Sequence, residues 1–402
     1  MKPFGEPIPF ETAQETIEQH TLPVERTQSL RIDDAFGRIL AEDILAHHST
    51  PPFDRAAMDG YAVKSEDTNG ASKQNPKELK LVDRLYAGST PTTKLYTGEC
   101  IEIATGAKMP AGADAVVMVE DTRRNVKKVS ILKTIQSLDN VGMKGEDTKE
   151  GDVVLTRGSF LCAGKVGVLA SQGLRRVTVY DKPVVAIIPT GEEIVEIGRR
   201  LKKVQIYDIN SHTLSVVVQE NGCQAIIFPI TGDNIKDIEV NLARALDEAD
   251  MVVTSGGSSV GEKDLITGVL GEWGEVLFHG VKIKPGKPTT FALVRGKPVL
   301  GMPGYPTSCL INAYLMLSPA LRKMARLPLR RESFVQAKLG VRVAGGGVRR
   351  RFQPVRLECG TAYPILKKSG AITGTAQADG YIIISEDDSY LEKDSPVKVI
   401  TF

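Results

Sequence analysis

Between residues 183 and 326 the chain switches its apolar period back and forth in a steady rhythm. Val184–Ile188 reads as a strand, Ser211–Glu220 as a helix and Ala225–Ile230 as a strand. Ile235–Glu248 reads as a helix, Met251–Thr254 as a strand and Leu265–Gly271 as a short helix. Strands joined through helices pair in parallel, and right-handed crossovers then place helices on both faces. Asn210 is a plausible N-cap of the first helix and Gly222 its stop; Ile235, Ile238, Leu242, Leu246 and Ala249 line one face of the second. A doubly wound sheet follows. Strands expected at Val276–Phe278, Val281–Ile283, Thr289–Val294 and Pro298–Gly301 extend it, and a long helix from about Ser308 to Arg326 closes the domain.

The 402 residues exceed what one hydrophobic core usually supports. Beyond a linker near Pro328, β-type runs at Phe334–Leu339, Phe352–Leu357, Tyr381–Ser385 and Val397–Phe402 suggest a small all-β terminal domain. Residues 49–140 are also strand-rich, at Leu79–Leu85, Cys100–Ala104, Ala115–Glu120 and Lys128–Leu132, and read as an inserted lobe. The helical patterns Phe10–Glu18 and Ala163–Gln172 on either side are expected to pack together. The division is then residues 1–48 plus 141–180 as a split domain, 49–140 as the lobe, 181–327 as the α/β domain and 328–402 as the β domain. The fold class is multidomain α/β and β.

Charge and cysteine usage narrow the function. The 51 basic and 49 acidic residues nearly cancel, so no global field exists to capture nucleic acid or an anionic membrane. No apolar run approaches the ~20 residues of a bilayer span, and the N-terminus has no signal-like apolar region. Five scattered cysteines without a Cys-x-x-Cys pair fit a reducing cytoplasm. With five histidines and no Ser-His-Asp or Cys-His pattern, covalent catalysis is not indicated.

In an open α/β sheet, ligands bind beyond the carboxyl ends of the strands. Those positions here are Pro189-Thr190-Gly191-Glu192-Glu193, Thr231-Gly232-Asp233-Asn234 and the turn Ser255–Asp264. In that turn Gly256, Gly257 and Gly261 let backbone N–H groups crowd an anion, and Ser255, Ser258 and Ser259 add hydroxyl donors. Glu193, Asp233 and Asp264 could share a magnesium ion. Each alone reads more simply as a helix cap; three together, with lysines opposite, favour the ion. Lys284-Pro285-Gly286-Lys287-Pro288 is stiffened by its prolines and could aim both lysines at one anion, although alone it reads as an exposed turn. Pro303-Gly304-Tyr305-Pro306-Thr307-Ser308 opens the long helix as a second anion site, or else with Thr307 or Ser308 as a simple N-cap. Arg322–Arg356 holds eleven Lys/Arg against one acid, Glu332, and includes Arg349-Arg350-Arg351; it reads more simply as a solvated hairpin tip, with a polyanion contact or the phosphate of a small ligand as the sharper alternative. In the lobe, Pro51–Ala62, Thr105–Pro110 and Lys144–Asp147 are polar loops beside apolar strands, and the residues alone do not decide between turns and a site.

Phe53-Asp-Arg-Ala-Ala-Met-Asp-Gly-Tyr-Ala62, Thr105-Gly-Ala-Lys-Met-Pro110, Pro189-Thr-Gly-Glu-Glu193, Tyr207-Asp-Ile-Asn-Ser211, Thr254–Asp264, Lys284-Pro-Gly-Lys-Pro288, Pro303-Gly-Tyr-Pro306 and Ala376-Gln-Ala-Asp-Gly380 closely resemble the motifs of the MoeA family of molybdopterin molybdenumtransferases. They stand in family order across essentially the whole chain. The resemblance implies a four-domain homodimer whose MogA-like molybdopterin-binding domain faces the partner's inserted lobe. It implies a reaction in which adenylylated molybdopterin is cleaved with magnesium, AMP leaves, and molybdate or tungstate is placed on the dithiolene. The partners it implies are the adenylyltransferase upstream and the acceptor molybdoenzymes. By motif it carries Asp59 and Thr105 over as lobe site residues, and Glu193, Asp233 and Asp264 as residues around magnesium and pterin. Lys284, Lys287 and Ser308 carry over to the anion side, and Gly256, Gly257, Ser258, Ser259, Pro303 and Asp147 to ligand binding. The chain departs from the pattern at Gly304-Tyr305-Pro306-Thr307, where the family usually has Gly-Asn-Pro-Val, at Ser258 for valine, and at Gly142-Met143-Lys144 for arginines. The competing expectations are the adenylyltransferase itself and a gephyrin-like scaffold.

Overall fold

The computed structural model describes residues 6–256, 265–330 and 333–402. The chain forms two compact units, residues 1–29, 37–39 and 178–402, and residues 30–36 and 40–177.

The first unit is built on a six-stranded sheet in the order Gln224–Ile227, Val184–Pro189, Met251–Ser255, Lys297–Met302, Thr290–Val294, Gly274–His279. The first four strands run parallel, as the alternation of strands and helices requires. Thr290–Val294 runs antiparallel to both its neighbours, and to Lys297–Met302 because their link is only Arg295-Gly296, both at positive φ in a tight hairpin turn. Within Val184–Pro189, Val185 and Ile187 join Leu214, Val217 and Leu300 in one core, while Ala186 and Ile188 join Ile238, Leu242 and Leu246 in another. Burial on both faces is why these strands read as unbroken apolar runs.

Helix boundaries differ from expectation in informative ways. The first crossover helix is Asn210–Glu220, and the side chain that caps it is Asp208, whose Oδ1 accepts from the Ser211 N–H at 3.0 Å. Asn210 lies inside the helix instead. The expected long helix is an α-segment Pro306–Asn312, a π-turn Ala313–Leu317 and an α-segment Ser318–Met324. Pro319 has no N–H to give Leu315, and the Leu315 carbonyl takes a 2.9 Å hydrogen bond from Gln14 Nε2 instead. Gln14 belongs to the helix Phe10–Gln19, whose Phe10, Ala13 and Ile17 enter the core with Met316 and Leu321. That face is thus filled within the sheet unit, whereas Ala163–Ser171, its expected partner, belongs to the other unit.

Phe334–Leu339, Arg350–Glu358, Thr361–Pro364, Gly380–Ile384 and Pro396–Thr401 pair into a closed ring around Leu339, Val355, Ala362, Ile382 and Val399. A two-residue strand, Ile283–Lys284, adds to this ring by pairing in parallel with Arg350–Arg351.

The second unit holds a sheet in the order Ala115–Met118, Gly60–Val63, Glu99–Ile103, Lys77–Leu85, Lys128–Ile131, Thr122–Arg124. Gly60–Val63, one strand in from the edge, is fully buried, although its residues read as turn formers. A Cβ on Gly60 would stand 1.9 Å from the Val117 carbonyl oxygen, so only glycine lets these strands approach.

Candidate functional site

Backbone hydrogen bonds stitch four strand ends together at the carboxyl edge of the parallel sheet. The Thr190 N–H donates to Ser255 O at 3.0 Å, Gly191 N–H to Thr231 O at 3.1 Å, and Gly256 N–H to Met302 O at 3.2 Å. Gly256 has φ +91°, and a Cβ there would lie 2.6 Å from Thr190 O. The residue following the third strand therefore has to be glycine for the edge to close. Gly257, Ser258, Ser259, Gly261 and Asp264 lie outside the described residues.

Two of the expected carboxylates stand on neighbouring strand ends, linked by a Thr190–Thr231 bridge. Neither acts as a cap. Asn234 caps Ile235–Glu248, its Oδ1 accepting from the Asp237 N–H at 2.9 Å, which leaves Asp233 uncommitted. Glu193 turns back over Gly191, where an added Cβ would meet its Oε2 at 2.7 Å. Among the described residues no group of three or more His, Cys, Asp or Glu is arranged to hold a metal, the expected third carboxylate, Asp264, lying outside them. The Ser255 Oγ, Thr254 Oγ1, Ser211 Oγ and Asn210 Oδ1 are buried without a partner among the described residues. An orphaned buried polar atom costs about 1–3 kcal/mol, so these are groups for a polar ligand or water to satisfy.

The cationic side is assembled by the terminal ring. The pairing of Ile283–Lys284 with Arg350–Arg351 sets Lys284 opposite Arg351. Burial, then the charges of Arg351 and Arg349, hold the Lys284 ammonium below the usual lysine range. The three arginines are therefore not one solvated tip. Arg350 is committed to Glu11 and Glu386, while Arg351, half-buried, donates to Ala344 O at 2.7 Å and Gln353 Oε1 at 2.5 Å and meets no carboxylate among the described residues. Sequence reasoning did not join Arg349 and Arg351 to Lys284, because the partner strand lies more than sixty residues upstream. Lys287 is fixed through its carbonyl, which accepts from the Val281 and Thr289 N–H groups, each at 2.9 Å.

The Pro303–Ser308 turn reaches the same edge. Asn210 Nδ2 donates to Gly304 O at 2.9 Å, so the misjudged cap is a tie between the first crossover and this turn. The N-cap is Tyr305, without a side-chain bond, so neither Thr307 nor Ser308 caps the helix. The Thr307 N–H is occupied by Ser369 O at 3.0 Å and its hydroxyl donates to Ala371 O at 3.3 Å. Ser308 is buried.

In the second unit the three polar loops form one cluster. Asp59 Oδ1 accepts from the Thr105 N–H at 2.7 Å, and Asp54 Oδ1 from the Lys144 N–H at 2.7 Å. Val141–Gly142 pairs with Arg55–Ala56, and the Asp147 N–H donates to Thr50 O at 3.1 Å. Asp59, Thr105 and Asp147 are exposed on it.

Three family models match the chain: the MoeA N-terminal region (domain I and II) at residues 8–173, a "Probable molybdopterin binding domain" at 186–323 and the MoeA C-terminal region (domain IV) at 336–402. A molybdopterin molybdenumtransferase of Staphylococcus epidermidis is 37% identical over 74% of this chain and 71% of its own. A molybdopterin biosynthesis protein of Methanocaldococcus jannaschii is 34% identical over 98% of this chain and 96% of its own. The crystal structure of a molybdopterin biosynthesis MoeA protein from Pyrococcus horikoshii superposes with a TM-score of 0.84 at 32% identity, covering 99% of this chain and 100% of that one. A second Pyrococcus MoeA structure gives 0.86 at 40% identity, covering 98% and 99%.

Proposed function

We propose, since this chain belongs to the MoeA family and is thereby an enzyme of molybdenum cofactor biosynthesis, that it places molybdate or tungstate on adenylylated molybdopterin with magnesium-dependent release of AMP. The observation that carries this reading is Lys284. An ammonium that is partly buried and flanked by Arg349 and Arg351 is a costly arrangement in an empty site and a favourable one beside an oxyanion. Lys284 and Lys287 then hold the tetrahedral oxyanion, with Ser308 on the same side. The pterin phosphate lies along the edge at Gly256 and Pro303, where Asn210, Ser211 and Ser255 keep unsatisfied polar atoms.

Glu193 and Asp233 suit magnesium: both offer hard oxygen donors on adjacent strand ends, and neither is used by the fold as a cap. Bound there, the ion would neutralise charge on the phosphoanhydride as it splits. The chain's own part is to orient the anhydride, keep cations where charge develops, and supply no nucleophile. Asp59, Thr105 and Asp147 belong to the same proposal as the lobe's contribution, together with the homodimer, the cytoplasmic setting, the exchange with adenylyltransferase and acceptor enzymes, and the four-domain division, whose support is the spacing of the three family matches.

The test is incubation with adenylylated molybdopterin, magnesium and either molybdate or tungstate, with AMP as readout. The parent should release AMP only when the oxyanion is present, and Lys287→Ala and Asp233→Asn should each slow release at least tenfold. Consumption of ATP with free molybdopterin would point instead to the adenylyltransferase, and release unchanged in both variants would defeat the site assignment.

A further inference from the structure

We propose that Asn312 is the positioning residue that sets the Lys284–Lys287 loop against the helix bearing Ser308, so that oxyanion affinity depends on a side chain buried beneath the site. This rests on the reading of that loop as the oxyanion side. Asn312 is fully buried at the last residue of Pro306–Asn312, immediately before the π-turn. Its Nδ2 donates to Gly286 O at 3.0 Å and to Thr289 Oγ1 at 2.7 Å, and the Thr289 hydroxyl donates to the same Gly286 carbonyl at 2.9 Å. The amide orientation is dictated by chemistry, since a carbonyl can only accept and the Thr289 proton is already given away.

Two further observations give this contact its meaning. A Cβ on Gly286, which has φ +103°, would fall 2.2 Å from Asn312 Nδ2, so the loop backbone lies directly on the amide. The Asn312 Oδ1 has no partner among the described residues. Burying an orphaned acceptor is costly, and an apolar residue of similar shape would avoid that cost while losing the grip on the loop. The loop is thus held from both ends, by the ring through Ile283–Lys284 and by Asn312 through Gly286 and Thr289. A π-turn starting at the next residue is the kind of irregularity that re-aims a side chain at a working site. Without the amide, the two lysines lose their fixed distance from Ser308, and a displacement of about 1 Å is enough to weaken a positioned charge strongly.

The experiment compares the parent with Asn312→Ala, Thr289→Val and the double variant. It measures thermal unfolding, molybdate binding by equilibrium dialysis, and AMP release from adenylylated molybdopterin against molybdate concentration. In folded variants the half-saturating molybdate should rise about tenfold or more while the rate at saturation stays within about threefold. The double variant should be no weaker than Asn312→Ala, because the two side chains act as one unit. Should Asn312→Ala fail to fold, Thr289→Val, which removes only a hydroxyl, decides. Parent-like half-saturation in folded variants, or a loss confined to the saturating rate, overturns the inference alone. A parent that neither binds molybdate nor releases AMP with it overturns the functional reading and this inference together.

Discussion

Asp250 offers a sharp test of how the sheet is clamped at the end opposite the site. Its carboxylate receives a bidentate pair from Arg26, at 2.7 and 2.8 Å, and the Val184 N–H at 2.8 Å. It therefore ties the N-terminal segment to the start of the first strand, next to the start of the third. Arg26 is 54% exposed, so its share is that of a screened surface pair, about 0.2–1 kcal/mol. The backbone N–H to a partly buried carboxylate contributes about 1.5–3 kcal/mol, and Asp250→Ala should cost about 2–4 kcal/mol in all. At roughly 2–4 °C per kcal/mol, the melting temperature should fall roughly 4 to 16 °C. The pH dependence is more discriminating. Burial opposes ionisation, but Arg26 and the Val184 N–H outweigh it and hold Asp250 below the ordinary carboxylate range. A depressed folded pKa means that the stabilisation is complete above the unfolded value, near 3.9, and disappears as pH falls through the folded one. Urea unfolding of parent and Asp250→Ala from pH 8 down to pH 3 should show a constant gap to about pH 4 that then closes. A gap of the same size throughout would refute the assignment of that energy to the ionised carboxylate.

Three further outcomes are expected. Gly256→Ala forces a Cβ to 2.6 Å from Thr190 O at φ +91°, so it should lower the melting temperature in calorimetry and abolish AMP release, whereas Gly296→Ala, also strained at φ +74° but with nothing near its Cβ, should cost some stability and leave AMP release intact. Because Lys284 titrates below the usual lysine range, molybdate affinity should fall as pH rises through that lowered pKa. Arg351→Ala, which removes a flanking charge, should shift the fall to higher pH in a dialysis series. Among the five free cysteines, Cys162 and Cys359 are exposed, and of these two the Cys162 thiol is held below the usual range by the Lys165 and Gly164 N–H groups. Burial pushes Cys100 and Cys223 up to about 12. Thiol-reagent kinetics should therefore show a fastest phase that Cys162→Ser removes and a slower exposed-thiol phase that Cys359→Ser removes.

The doubly wound core was legible because strands buried on both faces must be apolar along their whole length, and Val184–Pro189 and Met251–Ser255 carry that mark in the residues themselves. Gly60–Val63 was not, since four residues opening on a glycine look like a turn until Val117 is brought against them. The site residues divide along a similar line. Composition marks which groups could bind a ligand, but availability is what remains after the fold has used its share, and that is settled by partners far away in sequence. Asn234 takes the cap and frees Asp233; Asp208 takes the cap and frees Asn210 to hold Gly304; Glu11 and Glu386 occupy Arg350 and leave Arg351 to Lys284. Adjacent residues of like chemistry thus end with opposite roles, and a motif scan treats them alike. The discriminating quantity is whether each polar group is already satisfied inside the protein. By that measure Glu193, Asp233 and the orphaned Asn210, Ser211 and Ser255 atoms at the sheet edge, with Lys284 on the terminal ring, are the groups the proposed site draws on.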